Sequence, residues 1–192
     1  MRSVEETLKT FPLLQLIETD YILDPHANYL KEAYVQAGLS NDPNTQVGAV
    51  VKTLNETPTI THPMINNTIG SHNLIIGCDH DSDRMNYPKK SEYSAHAERR
   101  ALAHASREGM CTDGSTLYAP WFSCTGCAIQ IGESGVRTVI GHITPFMATP
   151  ERWVEDMQLA HAMMDNDYGI ELYVYMHQVG LTVRMNGKEI EV

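Results

Sequence analysis

Two short motifs carry whatever chemistry this chain performs: His96-Ala97-Glu98 and, further along, Cys124-Thr125-Gly126-Cys127. One imidazole and two thiolates can fill three corners of a zinc tetrahedron and leave the fourth for water. That is the layout of a catalytic zinc site, whereas a structural site closes all four corners with protein ligands. Zinc held in this way lowers the pKa of a bound water to about 7. Glu98, two residues from the imidazole, is placed to shuttle protons to and from that water, because a carboxylate alternates between base and acid within hydrogen-bond reach. Coordination would occupy its lone pairs, so Glu98 is expected to stay off the metal.

Taken singly, each motif is weak. His-x-Glu is common, and Cys-x-x-Cys also fits a redox pair or half of a structural zinc site. A closed four-ligand site would need another donor, for which His142 and Cys78 are available but without motif spacing. A redox role leaves the histidine motif unexplained. A zinc-binding interaction module without catalysis leaves Glu98 unexplained. The two motifs together, in this order, favour a catalytic metal centre.

The elements that must position these residues can be read around them. Apolar residues recur at helical spacing over 27–37 and stop at Gly38, and residues 47–51 and 73–78 are rich in strand formers. A helix is expected from about His96 to Arg107, a strand over 115–119, a helix over 124–133, a strand over 136–141, a helix over 150–165 opened by Thr149 and Pro150, and a strand over 170–175. Cys124 and Cys127, three apart at a helix start, leave nearly the same face. The positive end of that helix favours thiolate over thiol. Residues 1–26 carry an apolar patch (Leu8, Phe11, Leu13, Leu14, Leu16, Ile17) broken by Pro12, read as a short helical extension that packs on the body or on a neighbouring subunit. The stretch 54–71, rich in Thr, Asn and Pro, is long for a hairpin connection and has room for a short strand near 59–65. Residues 176–192 form a tail with a hairpin pattern about Asn186-Gly187, a strong turn signal. The core of the chain, 27–175, therefore reads as one domain with helices on both faces of a sheet, a three-layer α/β/α arrangement.

Composition limits the functions available. The 192 residues are 42% hydrophobic and 20% charged, which suits one globular domain with a sizeable core. No apolar run reaches the roughly 18 residues of a membrane span, and no signal peptide is apparent, so no membrane partner and a cytoplasmic location are expected. The formal net charge of −10 argues against nucleic acid as a partner, since polynucleotide binding needs cations to displace counterions. It leaves room for a small nucleotide. Arg84, Lys89, Lys90, Arg99 and Arg100 cluster around the histidine motif, and Arg84, Lys89 and Lys90 are the candidate phosphate handle.

Longer blocks around the motifs resemble the cytidine and deoxycytidylate deaminase superfamily, and most the deoxycytidylate branch. Asp42-Pro43-Asn44-Thr45-Gln46-Val47-Gly48-Ala49-Val50 resembles its first-strand block, Tyr93-Ser94-Ala95-His96-Ala97-Glu98-Arg99 its histidine motif, and the residues from Ser115 to Ala128 its cysteine motif. The likeness runs over about 29–173. It implies a cytidine deaminase-like fold with a mixed five-stranded sheet, a homo-oligomer that in this family is often a hexamer, and hydrolysis of dCMP to dUMP and ammonia. His96, Cys124 and Cys127 carry over as Zn2+ ligands and Glu98 as the proton shuttle. The Ala97 backbone carries over as a contact to the base, with Asn44 as a nucleotide contact. Three positions depart from the family pattern. Gly77-Cys78-Asp79-His80 stands where Gly-Tyr-Asn-Gly is usual, so the expected sugar contact is Asp79. Arg100 replaces an asparagine, and Ser123 replaces the proline before the first cysteine, with Pro120 three residues upstream. These departures bear on the substrate, and cytidine, a guanine-type base and a pyrimidine of riboflavin synthesis remain as alternatives to dCMP. Editing of tRNA fits poorly with the acidic charge.

Overall fold

The computed structural model describes residues 1–18, 24–54, 68–79 and 81–192. Helix α1 (Val4–Thr10) opens behind a capping box: the Ser3 hydroxyl accepts from the Glu6 N–H and the Glu6 carboxylate from the Ser3 N–H. Strand β1 (Gln15–Ile17) precedes α2 (Pro25–Ala37), which starts at the N-cap Asp24 with Pro25 in its first position. Next come β2 (Gly48–Lys52), β3 (Thr68–His72) and the short β4 (Leu74–Ile75). Helix α3 (Lys89–Tyr93) runs into β5 (Ser94–Ala95) and then α4 (Ala97–Arg107). Strands and helices alternate through β6 (Thr116–Tyr118), α5 (Thr125–Glu133), β7 (Thr138–His142), α6 (Ile143–Met147), α7 (Glu151–Ala162) and β8 (Glu171–Tyr175). The chain closes with β9 (Thr182–Met185) and β10 (Lys188–Glu191), paired antiparallel about Asn186-Gly187, both at positive φ.

The main sheet has the order β1-β8-β7-β6-β2-β3, parallel from β1 to β6 and antiparallel through β2 and β3. It has six strands where five were expected, and β1 is the strand the sequence reading missed. Phe11 and Leu14 are buried, α1 ends at Phe11, and Gln15 to Ile17 then run along Tyr173 to Tyr175. The N-terminal segment thus packs on the body of its own chain.

The second correction concerns the partner of β2. The expected strand over 73–78 is broken at Asn73, whose side-chain oxygen accepts from the Val47 N–H and whose amide donates to the Thr45 carbonyl. The partner is β3, inside the stretch read as a connection, while β4 turns aside to pair with β5. The strand suggested near 59–65 lies outside the described residues. Thr149 is not the cap of α7 either. Its hydroxyl accepts from Trp121 Nε1 and donates to the Pro145 carbonyl, so Pro150 stands at the N-cap with no side-chain bond.

Alternation along the strands sorts the core into two layers. Ala49, Val51, Leu117, Val139, Leu172 and Val174 face α4, α5 and α7. Val50, Tyr118, Ile140 and Tyr175 face α2 and the C-terminal hairpin. On that side α2 lies so close to β2 that a Cβ on Gly48 would come within 1.8 Å of the Ala33 carbonyl oxygen. The result is the three-layer arrangement. Among the described residues no helix is long and apolar enough to cross a membrane.

Two buried histidines tie these layers together, and their partners fix their tautomers. A carbonyl only accepts, so His161 Nε2 donates to the Phe122 oxygen and His142 Nε2 to the His177 oxygen. His142 Nδ1 then accepts from the Tyr34 hydroxyl at 2.7 Å. Burial pushes both imidazoles down to about 4. Both stay neutral in the fold, whereas in the unfolded chain they take up protons below about 6.5. The unfolded state binds more protons between those values, so stability should be full above pH 6.5 and fall as pH drops toward 4. Urea midpoints measured across that window check this. His161→Phe should flatten the dependence by one proton, about 1.4 kcal/mol per pH unit, and a slope unchanged by the substitution would contradict the assignment.

Candidate active site

Both motifs sit at the first turn of a helix. His96 is the N-cap of α4 and Cys124 the N-cap of α5, with Cys127 in the first turn of α5. The His96 imidazole turns from the start of α4 toward the start of α5, where it meets both sulfurs. His96 Nδ1 lies 3.4 Å from Cys124 Sγ and 3.4 Å from Cys127 Sγ. The three donor atoms lie within 4.8 Å of one another. A tetrahedral zinc with ordinary Zn–N and Zn–S bonds needs a nitrogen–sulfur separation of about 3.5 Å, so the donors fit the ion in kind and in spacing. Among the described residues no fourth Cys, His, Asp or Glu joins this group. His142 is engaged with Tyr34 and His177, and the Cys78 sulfur accepts from the Asn41 amide.

The two thiols are coupled in their protonation, one drawn toward thiolate and the other away from it. The Cys124 thiol is drawn far below its ordinary value, first by the hydrogen bond from Cys127 and then by His96. The Cys127 thiol is pushed up, first by its hydrogen bond to Cys124 and then by burial. The imidazole of His96 is raised chiefly by its hydrogen bond to Cys124. Helix α5 is braced from α7, where Asp156 accepts from the Thr125 hydroxyl at 2.9 Å and faces its N–H at 3.4 Å.

Glu98 is 4% exposed in the first turn of α4. Burial raises its carboxyl above the ordinary carboxylate range, opposed mainly by His96. Its Oε1 accepts from the Ser123 hydroxyl at 3.2 Å. Ala97, between His96 and Glu98, is fully buried at the start of α4.

The other candidates lie in turns and loops, each with partners of its own. Asn44 is exposed; its N–H donates to Asp42 and its carbonyl accepts from Gly187 N–H of the C-terminal turn. Asp79 is exposed in the turn after β4, and the pairing of β4 with β5 sets that turn beside the residues leading to His96. The cations are engaged. Lys90 pairs with the buried Asp42 at 2.7 Å, and Arg84 donates to the Ile76 carbonyl and stacks on Tyr93. Lys89 lies 3.8 Å from both Asp81 and Asp83, and Arg100 donates to the His72 carbonyl. The stretch is therefore less positive than its cations alone imply, because Asp42, Asp81 and Asp83 fold onto them. Asp156 and the Ser123–Glu98 bond were missed in the sequence, since no local spacing joins residues 31 or 25 positions apart.

Comparison with known proteins bears on this geometry. Residues 23–143 match the family model described as the cytidine and deoxycytidylate deaminase zinc-binding region. A Caenorhabditis elegans protein described as a probable deoxycytidylate deaminase is 30% identical over 131 residues, 65% of this chain and 60% of the relative. The Homo sapiens deoxycytidylate deaminase is 28% identical over 127 residues, 63% of this chain and 65% of that protein. The matches thus span less than two thirds of these relatives' lengths. The crystal structure of the dCMP deaminase of cyanophage S-TIM5, in complex with dCMP and dUMP, superposes with a TM-score of 0.50 at 19% identity. It covers 82% of this chain and 99% of that one, a likeness of fold.

If the three donors hold the metal, Cys124→Ala should abolish stoichiometric zinc in purified protein, as read by elemental analysis. Retention of one full equivalent would mean that the ligand set is wrong.

Proposed function

The chain belongs to the cytidine and deoxycytidylate deaminase zinc-binding family, and from that premise we propose that it hydrolyses a cytosine nucleotide, dCMP, to dUMP and ammonia. The observation that carries the reading is the meeting of three metal donors with a buried carboxyl two residues along the chain from the imidazole. His96 Nδ1, Cys124 Sγ and Cys127 Sγ would hold zinc. When bound, the ion supplies the Lewis acidity that makes hydroxide available near neutral pH. Glu98 moves the protons. A carboxyl within hydrogen-bond reach both takes and returns a proton, which suits delivery first to ring N3 and then to the departing amine. The balance is simple: water adds at C4, the C4–N bond breaks, and ammonia leaves. The Ala97 N–H, at the positive end of α4, is the proposed contact to the base carbonyl.

The choice of dCMP is supported by the descriptions of the nematode and human relatives. Glu98→Gln should keep the zinc and the fold but lose turnover by on the order of a hundredfold to ten-thousandfold. Ammonia release from dCMP, CMP, deoxycytidine, cytidine and guanine, by wild type and variant, tests both the reaction and the substrate. Near-normal turnover of dCMP by the variant would remove Glu98 from the mechanism.

The phosphate handle can be narrowed by the ion pairs. Lys90 is bound to a buried carboxylate and Arg84 is packed on Tyr93, whereas the contacts of Lys89 are long and exposed, a kind worth little in water. Of the three candidates, Lys89 is therefore the freest to turn toward a phosphate. The kcat/KM ratio of dCMP to deoxycytidine should favour the nucleotide and shrink most in Lys89→Ala. Equal handling of nucleoside and nucleotide by wild type would overturn the phosphate handle.

A further inference from the structure

Ser123 stands where the family pattern has proline, and among the described residues it is the one side chain that hydrogen-bonds the Glu98 carboxyl. We propose that Ser123 is a positioning residue, whose hydroxyl fixes the carboxyl of Glu98 in the orientation from which it exchanges protons. A proline at this position could make no such bond, so the device belongs to this chain and not to the general pattern.

The geometry supports more than incidental contact. Ser123 and Glu98 are each 4% exposed, and their oxygens are 3.2 Å apart. Solvent is poorly placed to substitute for either partner, and a hydroxyl has a proton to give where an ionised carboxylate can only accept. The backbone carrying the hydroxyl is clamped on both sides. Before it, Phe122 is fully buried against Phe146 and His161, with ring centroids at 5.2 and 5.1 Å, and its carbonyl accepts from His161 Nε2. Gly141 gives the Phe122 ring its room, since a Cβ there would lie 2.7 Å from it. After Ser123, Cys124 caps α5, and Asp156 holds the next residue, Thr125. Ser123 therefore has little freedom to turn away. Glu98, on a helix that packs against α5, is oriented from the far side of the site by a rigid donor.

The consequence for turnover rests on the deaminase reading, whereas the contact itself does not, so the experiment reads both. Zinc-loaded full-length wild type, Ser123→Ala and Glu98→Gln are compared. Ser123→Ala should keep its zinc and its KM for dCMP within about twofold. Its kcat should fall about tenfold to a hundredfold, as expected for a lost hydrogen bond to a charged group. In parallel, the infrared carboxylate band of Glu98, assigned by its disappearance in Glu98→Gln, should shift in Ser123→Ala. An unshifted band, or a kcat equal to that of wild type, would overturn the proposal. So would a loss confined to KM. Should wild type release no ammonia from any cytosine substrate, the deaminase reading fails, and the infrared band alone decides whether Ser123 orients Glu98.

Discussion

The structure turns on the approach of one imidazole nitrogen to two sulfurs at 3.4 Å, delivered from the starts of two different helices. Three soft or borderline donors so close together repel or share protons unless a cation sits among them, and the sharing is visible in the opposite displacements of Cys124 and Cys127. Holding the donors there requires α4 and α5 to begin at the same end of the sheet. Strand β6 delivers the chain to Cys124, and the pairing of β5 with β4 delivers it to His96. The packing of α4 against α5, and of α5 against α7, then fixes the helix starts in place.

Elsewhere the polar side chains of the 41–47 loop mostly organise backbone. Asn41 and Asn73 use both ends of their amides to tie the 41–47 loop to β4 and the residue before it: Asn41 bonds Ile75, and Asn73 bonds Thr45 and Val47. Asp42 accepts from two N–H groups of the same loop and from Lys90. The C-terminal hairpin adds a further clasp: Gly187 donates to the Asn44 carbonyl and the Gln46 N–H to the Arg184 carbonyl. The 41–47 loop is thus held largely by part-buried bonds. Such rigidity is what a positioned reaction needs, because misplacement of reacting groups by an ångström is costly.

The chemistry was legible because each metal motif is local: its residues lie within four positions, and the helix starts that present them can be read from Gly, Pro and apolar spacing. Helix α2 and strands β2, β6, β7 and β8 fall close to their expected positions for the same reason. What was not legible depends on distant partners. β1 is extended because β8 offers it an edge, although its apolar residues also suit a helix. Asn73 breaks a run of strand formers because Thr45 and Val47 claim its amide. Thr149 fails as a cap because Trp121 draws its hydroxyl away. Lys90 could not be matched to Asp42 in the sequence because 48 positions separate them.

The central claim is a metal held by three protein donors, with an open position beside Glu98. Zinc K-edge X-ray absorption of the purified protein measures it most directly. The arrangement predicts two sulfur neighbours at about 2.3 Å and two nitrogen or oxygen neighbours at about 2.0–2.1 Å, one of them from solvent. A shell of four sulfurs, or no ordered zinc at all, would contradict it.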